Sequence, residues 1–516
     1  MLDPLKFPQL LTPAEMGHAD RAAIASGTPG IVLMEHAGLA VAREAARRVR
    51  SRGRIAILCG PGGNGGDGFV AGRLLSAWGY PVQLGLLGHR DSLHGDPALA
   101  AARFEGAVHP ASEVDIGGAD CVIDALFGAG LTRDLDGEAR GLVERMNAFA
   151  RRGGLVVAVD VPSGLDGATG KARGAAVEAT ASVTFFRLKP GHLLEPGRAL
   201  CGDIRLADIG IPASVLPGVA PQAFVNGPLL WGEALPRLAA LSHKYARGAA
   251  LVLSGCAHQT GAARMAARAA LRAGAGIVSV ASPPESVAVN AAHLTAVMVA
   301  PFEGAPGFDA LLGDERRRAV ALGPGAGVGA ELRALVAAAL TTPAPGRTIV
   351  LDADALSSFA GDAETLARLI GQGGHGAVLT PHEGEFARLF GGAPGVEPRD
   401  DKLARARAAA RLTGAVVVLK GSDTVVAAPD GRAAIGWDLP PTLATAGSGD
   451  VLTGFVAGLA AQGMAPFEAA SAAVWLHGAC ARSLGPGLIA EDLPEALPRV
   501  LGASCAGRFA APQLGR

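Results

Sequence analysis

Short apolar runs punctuate the first part of the chain: RIAILC, PVQLGLL, CVIDALF, GLVVAVDV and ASVTFF. Between them lie Ala-rich stretches with helical periodicity, such as DGFVAGRLLSAW. Strand and helix in alternation predict an α/β domain around a mostly parallel sheet. The pattern lapses at PASVLPGVAPQAFVNGP, residues 212–228, whose Pro, Ala and Gly content predicts a linker. It resumes with AALVLSG, IVSVAS, AVALGPG, TIVLDAD, AVLTP and VVVLKG. No internal repeat relates the halves. The expectation is two separate α/β domains, residues 1–220 and 221–516.

Composition narrows this picture. The chain has 516 residues, more than one domain usually holds. Aromatic residues are only 4%, so the cores must be built from Ala, Val, Leu and Ile. With 46 basic against 47 acidic residues, there is no basic excess of the kind a nucleic-acid partner requires. The six cysteines (Cys59, Cys121, Cys201, Cys256, Cys480, Cys505) form no CxxC pair and no metal-ligand spacing. A reducing compartment fits them. The N-terminus, MLDPLKFPQLLTPAEM, has no signal-peptide pattern, and the longest uncharged stretch, Val451 to Phe467, is too short and interrupted to span a membrane. A cytoplasmic protein without a membrane partner is expected. Only six lysines occur, so a lysine beside a motif is informative.

In the first half, RIAILC runs into GPGGNGGDG, Gly60 to Gly68, and then a helix. Gly60, Gly62 and Gly65 satisfy GxGxxG, but the acidic residue expected at the end of the following strand is missing from PVQLGLL. No Walker lysine is present either. Hydride transfer from a nicotinamide cofactor is therefore disfavoured. Instead, polar residues stand at three strand ends: Asn64 and Asp67, then Asp124, then Asp160 and Ser163. Three oxygen-bearing strand ends can hold a hard cation together with a phosphorylated ligand. Each taken singly is as readily an Asx-turn or a helix cap.

GPGGNGGDGFVAGRLL, DALFGAG, AVDVPSGLDGATG and TFFRLKPGHLLEPG, in that order, resemble the NAD(P)H-hydrate epimerase family. The likeness spans roughly residues 10–212 and implies a Rossmann-like three-layer domain. It implies potassium at Asn64, Asp124 and Ser163. It implies contact with a hydrated nicotinamide nucleotide, NADHX or NADPHX, from Asn64, Gly65, Gly66, Asp67, Gly128, Ala129, Gly130, Leu131, Thr132, Arg133, Asp134 and Asp160. The family usually reads GPGNNGGDG; Gly63 here removes one side-chain hydrogen-bonding group. Epimerisation can proceed by loss and re-addition of hydroxide through a ring cation, which Asp160 would stabilise while relaying the proton.

The second half poses its question at LATAGSGDVLTG, residues 443–454. Small residues before a helix suit a phosphate, yet Asp450 follows them. A carboxylate there is either a helix N-cap or a base that activates whatever attacks the phosphate. HKYARGAALVLSG, TGAARMAARAALRAGAG, ALGPGAG, LDADAL, VLTPHEGEFARLF, VVVLKGSDTVV and this loop together resemble the ADP- or ATP-dependent NAD(P)H-hydrate dehydratase family, over roughly residues 226–500. The resemblance implies a ribokinase-like α/β fold. It implies Asp450 as catalytic base, Gly447 to Gly449 as the phosphate cradle, and nucleotide contacts from Lys420, Gly421, Ser422, Asp423, Thr424 and Gly449. Ala262, Gly325, His382 and Asp450 would face the hydrate. ADP is the donor expected from bacterial members, with ATP as the other donor, Mg²⁺ as companion and a homo-oligomer as the assembly. Taken alone, His382 reads as a helix cap. Departures from the family are Tyr245 after HK and LPPT before the glycine loop. Two further readings stay open at this stage: a ribokinase-like kinase for a small hydroxylated metabolite, and a first half that only binds.

Overall fold

The computed structural model describes residues 2–237 and 243–505, with side chains to residue 503. It divides into two compact units between Ala223 and Phe224.

The first unit is built on seven strands: β1 Ile55–Cys59, β2 Val82–Leu86, β3 Val108–Pro110, β4 Cys121–Ala125, β5 Leu155–Val159, β6 Ala181–Phe185 and β7 Asp203–Ala207. Their order is β3-β2-β1-β4-β5-β6-β7, and every pairing is parallel. Strands β1, β4 and β6 are buried at every position. Helices covering both faces of a parallel sheet require such continuously apolar strands. The chain starts at β1, moves outward to β3, then crosses back to β4. That reversal leaves a crevice beyond the carboxyl ends of β1 and β4, where open α/β sheets bind ligands. Helix Gly63–Ala77 leaves β1 at this crevice.

In the second unit the strands are β8 Ala249–Leu253, β9 Ile277–Ser282, β10 Met298–Pro301, β11 Arg317–Leu322, β12 Thr348–Leu351, β13 Gly376–Leu379, β14 Val416–Leu419, β15 Val425–Ala427 and β16 Ala433–Gly436. They lie in the order β16-β15-β14-β13-β12-β11-β8-β9-β10. From β14 to β10 the pairings are parallel; β15 and β16 add an antiparallel edge. The order reverses between β8 and β11, again opening a strand-end crevice. Helix Ser448–Ala461 crosses this region on helix Gly261–Arg272 at very short range. A Cβ on Gly454 would lie 2.2 Å from the Ala266 carbonyl oxygen, and one on Gly458 2.4 Å from that of Ala270. Alanine and glycine at this seam fix where the helix begins, and so where Asp450 stands.

The two units divide inside the Pro- and Gly-rich segment 212–228, where its composition predicts a linker, but the segment is itself structured. It contains two short helical turns and the strand Ala223–Asn226. Val225 and Asn226 are buried, and Asn226 donates to the Ser471 carbonyl (2.8 Å) while accepting from the Trp231 indole (3.2 Å). Composition registered the turns and missed the buried partners. Among the described residues, no helix is long and apolar enough to cross a membrane, and Cys59, Cys121, Cys201, Cys256 and Cys480 are free thiols.

Candidate active sites

The first crevice is a cleft of about 510 Å³, bounded by the loops after β1, β4, β5 and β6 and by the helix Pro13–Ala25. Among the expected substrate residues, Asn64, the run Gly128 to Arg133, and Asp160 line it. Gly65, Gly66 and Asp67 are buried in the first turns of helix Gly63–Ala77 instead. Asp134 is exposed and lies outside the lining. At the start of that helix, the N–H groups of Gly63, Asn64 and Gly65 have no acceptor among the described residues. Such a group of free donors attracts an anion. A Cβ on Gly65 would sit 1.8 Å from the Gly60 carbonyl oxygen, so the loop closes only with glycine there. At Gly63, by contrast, a Cβ would meet nothing within 4 Å.

Asp160 is held by several partners. Its backbone has a φ of 65°, and its carboxylate Oδ1 accepts from Lys189 Nζ (2.5 Å) and Thr184 Oγ1 (2.9 Å). The Lys189 ammonium also donates to Thr184 Oγ1 at 3.0 Å. His192 Nδ1 accepts from the Lys189 N–H, so its Nε2 carries the proton and donates to the Asp160 carbonyl, both at 2.9 Å. Burial acts to raise the Asp160 pKa, but Lys189, His192 and the Thr184 hydrogen bond together outweigh it and hold the carboxyl below its ordinary value. Burial, reinforced by Lys189, pushes His192 down to about 4. Burial and then the charges of Asp160 and Asp20 hold Asp67 well above the usual carboxyl range.

Beneath the cleft, Asp124 is fully buried. Its carboxylate accepts from Ser163 Oγ (2.5 Å), the Ser163 N–H (2.7 Å) and the Leu126 N–H (3.4 Å). Burial pushes its pKa up to about 6 despite these bonds, and no cationic side chain contributes to its shift. Asn64 donates to the Val159 carbonyl at 2.7 Å, leaving its own oxygen packed against Gly128. Carboxylate, amide and hydroxyl oxygens around an uncompensated buried charge suit a hard cation.

The second crevice gathers Asp450, Lys420, Asp352 and Glu385. Asp450 is not a helix cap. Gly447, with a φ of 84° and no side chain, caps the helix, and Asp450 is the third residue of its first turn. The N–H groups of Gly449 and Asp450 find no acceptor among the described residues. Burial, then the charge of Asp352, pushes Asp450 up to about 6, against the opposing pull of Lys420. Lys420 Nζ donates to Asp352 Oδ1 at 2.8 Å and lies 4.0 Å from Glu385 Oε2; Thr453 Oγ1 donates to Asp352 Oδ2 at 2.7 Å. Burial works to lower the Lys420 pKa, but Asp352 above all raises it on balance. A Cβ on Gly449 would come within 3.3 Å of Lys420 Nζ, so the cradle and the lysine adjoin.

Around them, Gly421 donates to Thr424 Oγ1 (3.1 Å), which donates back to the Gly421 carbonyl (2.7 Å), closing the turn 421–424. Lys402 Nζ pins this turn by donating to Asp423 Oδ1 (2.6 Å) and the Lys420 carbonyl (3.1 Å). His382 does cap its helix: Nδ1 accepts from the N–H groups of Gly384 and Glu385 at 3.0 and 3.3 Å. That leaves Nε2 as a donor on an imidazole that is 55% exposed, so capping and ligand contact are compatible. Gly325 stands beside Ala262, 3.5 Å separating the position of its Cβ from the Ala262 Cβ. The residues missed by sequence reasoning are Lys189, Thr184, His192 and Asp20 in the first unit, and Asp352, Glu385, Lys402 and Thr453 in the second. The rarity of lysine was a signal for Lys189 and Lys402.

Two strand-end sites, each joining free backbone N–H groups to a carboxylate with a lysine partner close by, define a two-site α/β enzyme for anionic small molecules. The profile of the NAD(P)H-hydrate dehydratase family matches residues 250–498, and that of the YjeF-related protein N-terminus matches residues 30–191. A bifunctional NAD(P)H-hydrate repair enzyme from Moorella thermoacetica is 39% identical over 95% of this chain and 96% of its own. One from Salinibacter ruber is 36% identical over 96% of each. A solved Bacillus subtilis ADP/ATP-dependent NAD(P)H-hydrate dehydratase, co-crystallised with ATP/Mg²⁺, is 30% identical over 52% of this chain and 94% of its own, with a TM-score of 0.45. The chain belongs to the family of bifunctional NAD(P)H-hydrate repair enzymes.

Proposed function

We propose that residues 1–220 interconvert the R and S hydrates of NADH and NADPH, and that residues 221–516 dehydrate the S form at the expense of ADP, in the cytoplasm. The observation carrying the second assignment is the pair of free N–H groups at Gly449 and Asp450, beside a carboxylate that burial has made a stronger base. The hydrate's ring hydroxyl attacks the terminal phosphoryl group of ADP while Asp450 takes its proton and AMP leaves. The free N–H groups and Lys420 hold the charge that develops on the phosphoryl oxygens. The ring nitrogen's lone pair then breaks the C6–O bond, phosphate departs, and loss of the C5 proton restores the nicotinamide ring. The turn 421–424 carries the nucleotide; Ala262, Gly325 and His382 face the hydrate. Mg²⁺ would be carried in on the nucleotide phosphates, where it would neutralise charge.

In the first unit, Asn64, Asp124 and Ser163 would hold potassium, whose charge offsets the buried Asp124 carboxylate. Asp160 lies beside the ring cation and stabilises it. The test follows near-ultraviolet absorbance of mixed NADHX epimers with ADP and Mg²⁺. Wild type converts all of it to NADH, Asp450→Ala none, and Asp160→Ala half quickly and the rest at the spontaneous epimerisation rate. No NADH from wild type with either ADP or ATP would refute the proposal, and a stable phosphorylated product would point to a metabolite kinase.

A further inference from the structure

Helix Pro13–Ala25 is fixed at its start by a capping box. Thr12 Oγ1 accepts from the Glu15 N–H at 3.3 Å, and Glu15 Oε2 accepts from the Thr12 N–H at 2.7 Å. Pro13, Met16, Gly17 and Asp20 all line the 510 Å³ cleft. Their spacing is that of one helix face, so the helix presents a single stripe to the cleft, and Asp20 is its ionisable member. The Asp20 carboxylate has no hydrogen-bond partner among the described residues. Asp160, across the same cleft, has its Oδ1 engaged by Lys189 and Thr184.

We propose that Asp20 is the proton-transferring acid of the first cleft, while Asp160 serves as its fixed, ionised counterpart. This rests on the epimerase reading and divides between two residues the work that Asp160 would otherwise do alone. In the forward step the C6–O bond breaks, and its electron pair leaves on oxygen, which takes the Asp20 proton and departs as water. The ring nitrogen's lone pair forms the N1–C6 double bond, and the resulting cation lies beside Asp160. Water then adds to the opposite face, the electron pair returns to nitrogen, and the released proton goes to solvent, from which Asp20 is reprotonated. No oxidant or reductant is needed.

The electrostatics agree with this division. Burial pushes Asp20 up to about 6, with Asp160 adding to the rise and Lys189 and Arg21 opposing it. The buried Asp67, which does not line the cleft, also feels the charge of Asp20. Two carboxyls in one cleft with pKa values driven apart can stand one protonated and the other ionised at the same pH.

The experiment uses the full chain without ADP and a purified NADHX epimer. Appearance of the other epimer is followed chromatographically from pH 5 to 8, with the spontaneous rate subtracted. Wild-type kcat should fall as pH rises through about 6, because the departing hydroxide needs protonated Asp20. Asp20→Asn should lose roughly 100-fold or more in kcat, with KM little changed and the pH limb gone. Asp20→Glu should recover part of the rate and display a displaced limb. Asp20→Asn within about threefold of wild type, or with the wild-type limb retained, overturns the assignment. Should Asp20→Asn not fold, a folded Asp20→Glu with an unchanged limb overturns it and a displaced limb supports it. A wild type that does not interconvert the epimers refutes the epimerase reading itself.

Discussion

Replacing Asp450 by Asn should abolish dehydration and, at neutral pH, make the protein more stable. Asp450 has moved from an ordinary value of 3.8 to about 6, through burial and the charge of Asp352. A carboxyl shifted that far has lost roughly 3 kcal/mol of its preference for the charged form. Because Asp450 is partly open to solvent, about 2 kcal/mol is the more realistic figure. Its folded pKa lies above its unfolded one, so the folded chain binds more protons between pH 3.8 and about 6. Stability is therefore lost as pH rises through that window, and ionised Asp450 is a burden above it. Asn carries no charge at any pH. By differential scanning calorimetry at pH 7.5, Asp450→Asn should raise the melting temperature by about 4 °C for a unit of this size. At pH 5 roughly half of that gain should remain. A variant melting at or below wild type at pH 7.5, or gaining as much at pH 5, would refute the argument that the base is held at an energetic cost.

Lys189→Met should leave Asp160 without its partner in a buried site and destabilise the first unit by about 3 kcal/mol. The loss should ease as pH falls and Asp160 is protonated, which urea denaturation at two pH values would detect. Potassium at 100 times its dissociation constant should stabilise wild type by about 2.7 kcal/mol. At constant ionic strength, Asp124→Asn should remove that response in thermal melts. Gly63→Asn should fold as wild type does, since its Cβ meets nothing within 4 Å. Its amide should lower KM for epimerisation a few-fold, and an unchanged KM would mean that Gly63 is no deficit.

Much of each site was legible because loops at strand ends are local features. GPGGNGGDG, VDVPSG and AGSGD carry their glycines and carboxylates in a few consecutive residues, and a local motif fixes which N–H groups stay free. The alternation of apolar strands with Ala-rich helices likewise determined two parallel α/β units, because continuous burial of a strand is written in its own residues. The supporting side chains were not legible. Lys189 meets Asp160, Lys402 meets Asp423 and Thr453 meets Asp352 across elements distant in sequence. Asp20 lies on a helix whose apolar pattern does not reveal that its stripe faces a cleft.

The sequence by itself determined the sheets, the glycine loops and the carboxylates at the strand ends, since each follows from neighbouring residues and local backbone requirements. Tertiary structure alone decided which lysine charges which carboxylate. It also decided that Asp450 sits within the helix turn rather than capping it, and that segment 212–228 contains a buried strand. Burial and charge pairing depend on what the rest of the chain packs against each group, and that is settled only when distant elements meet.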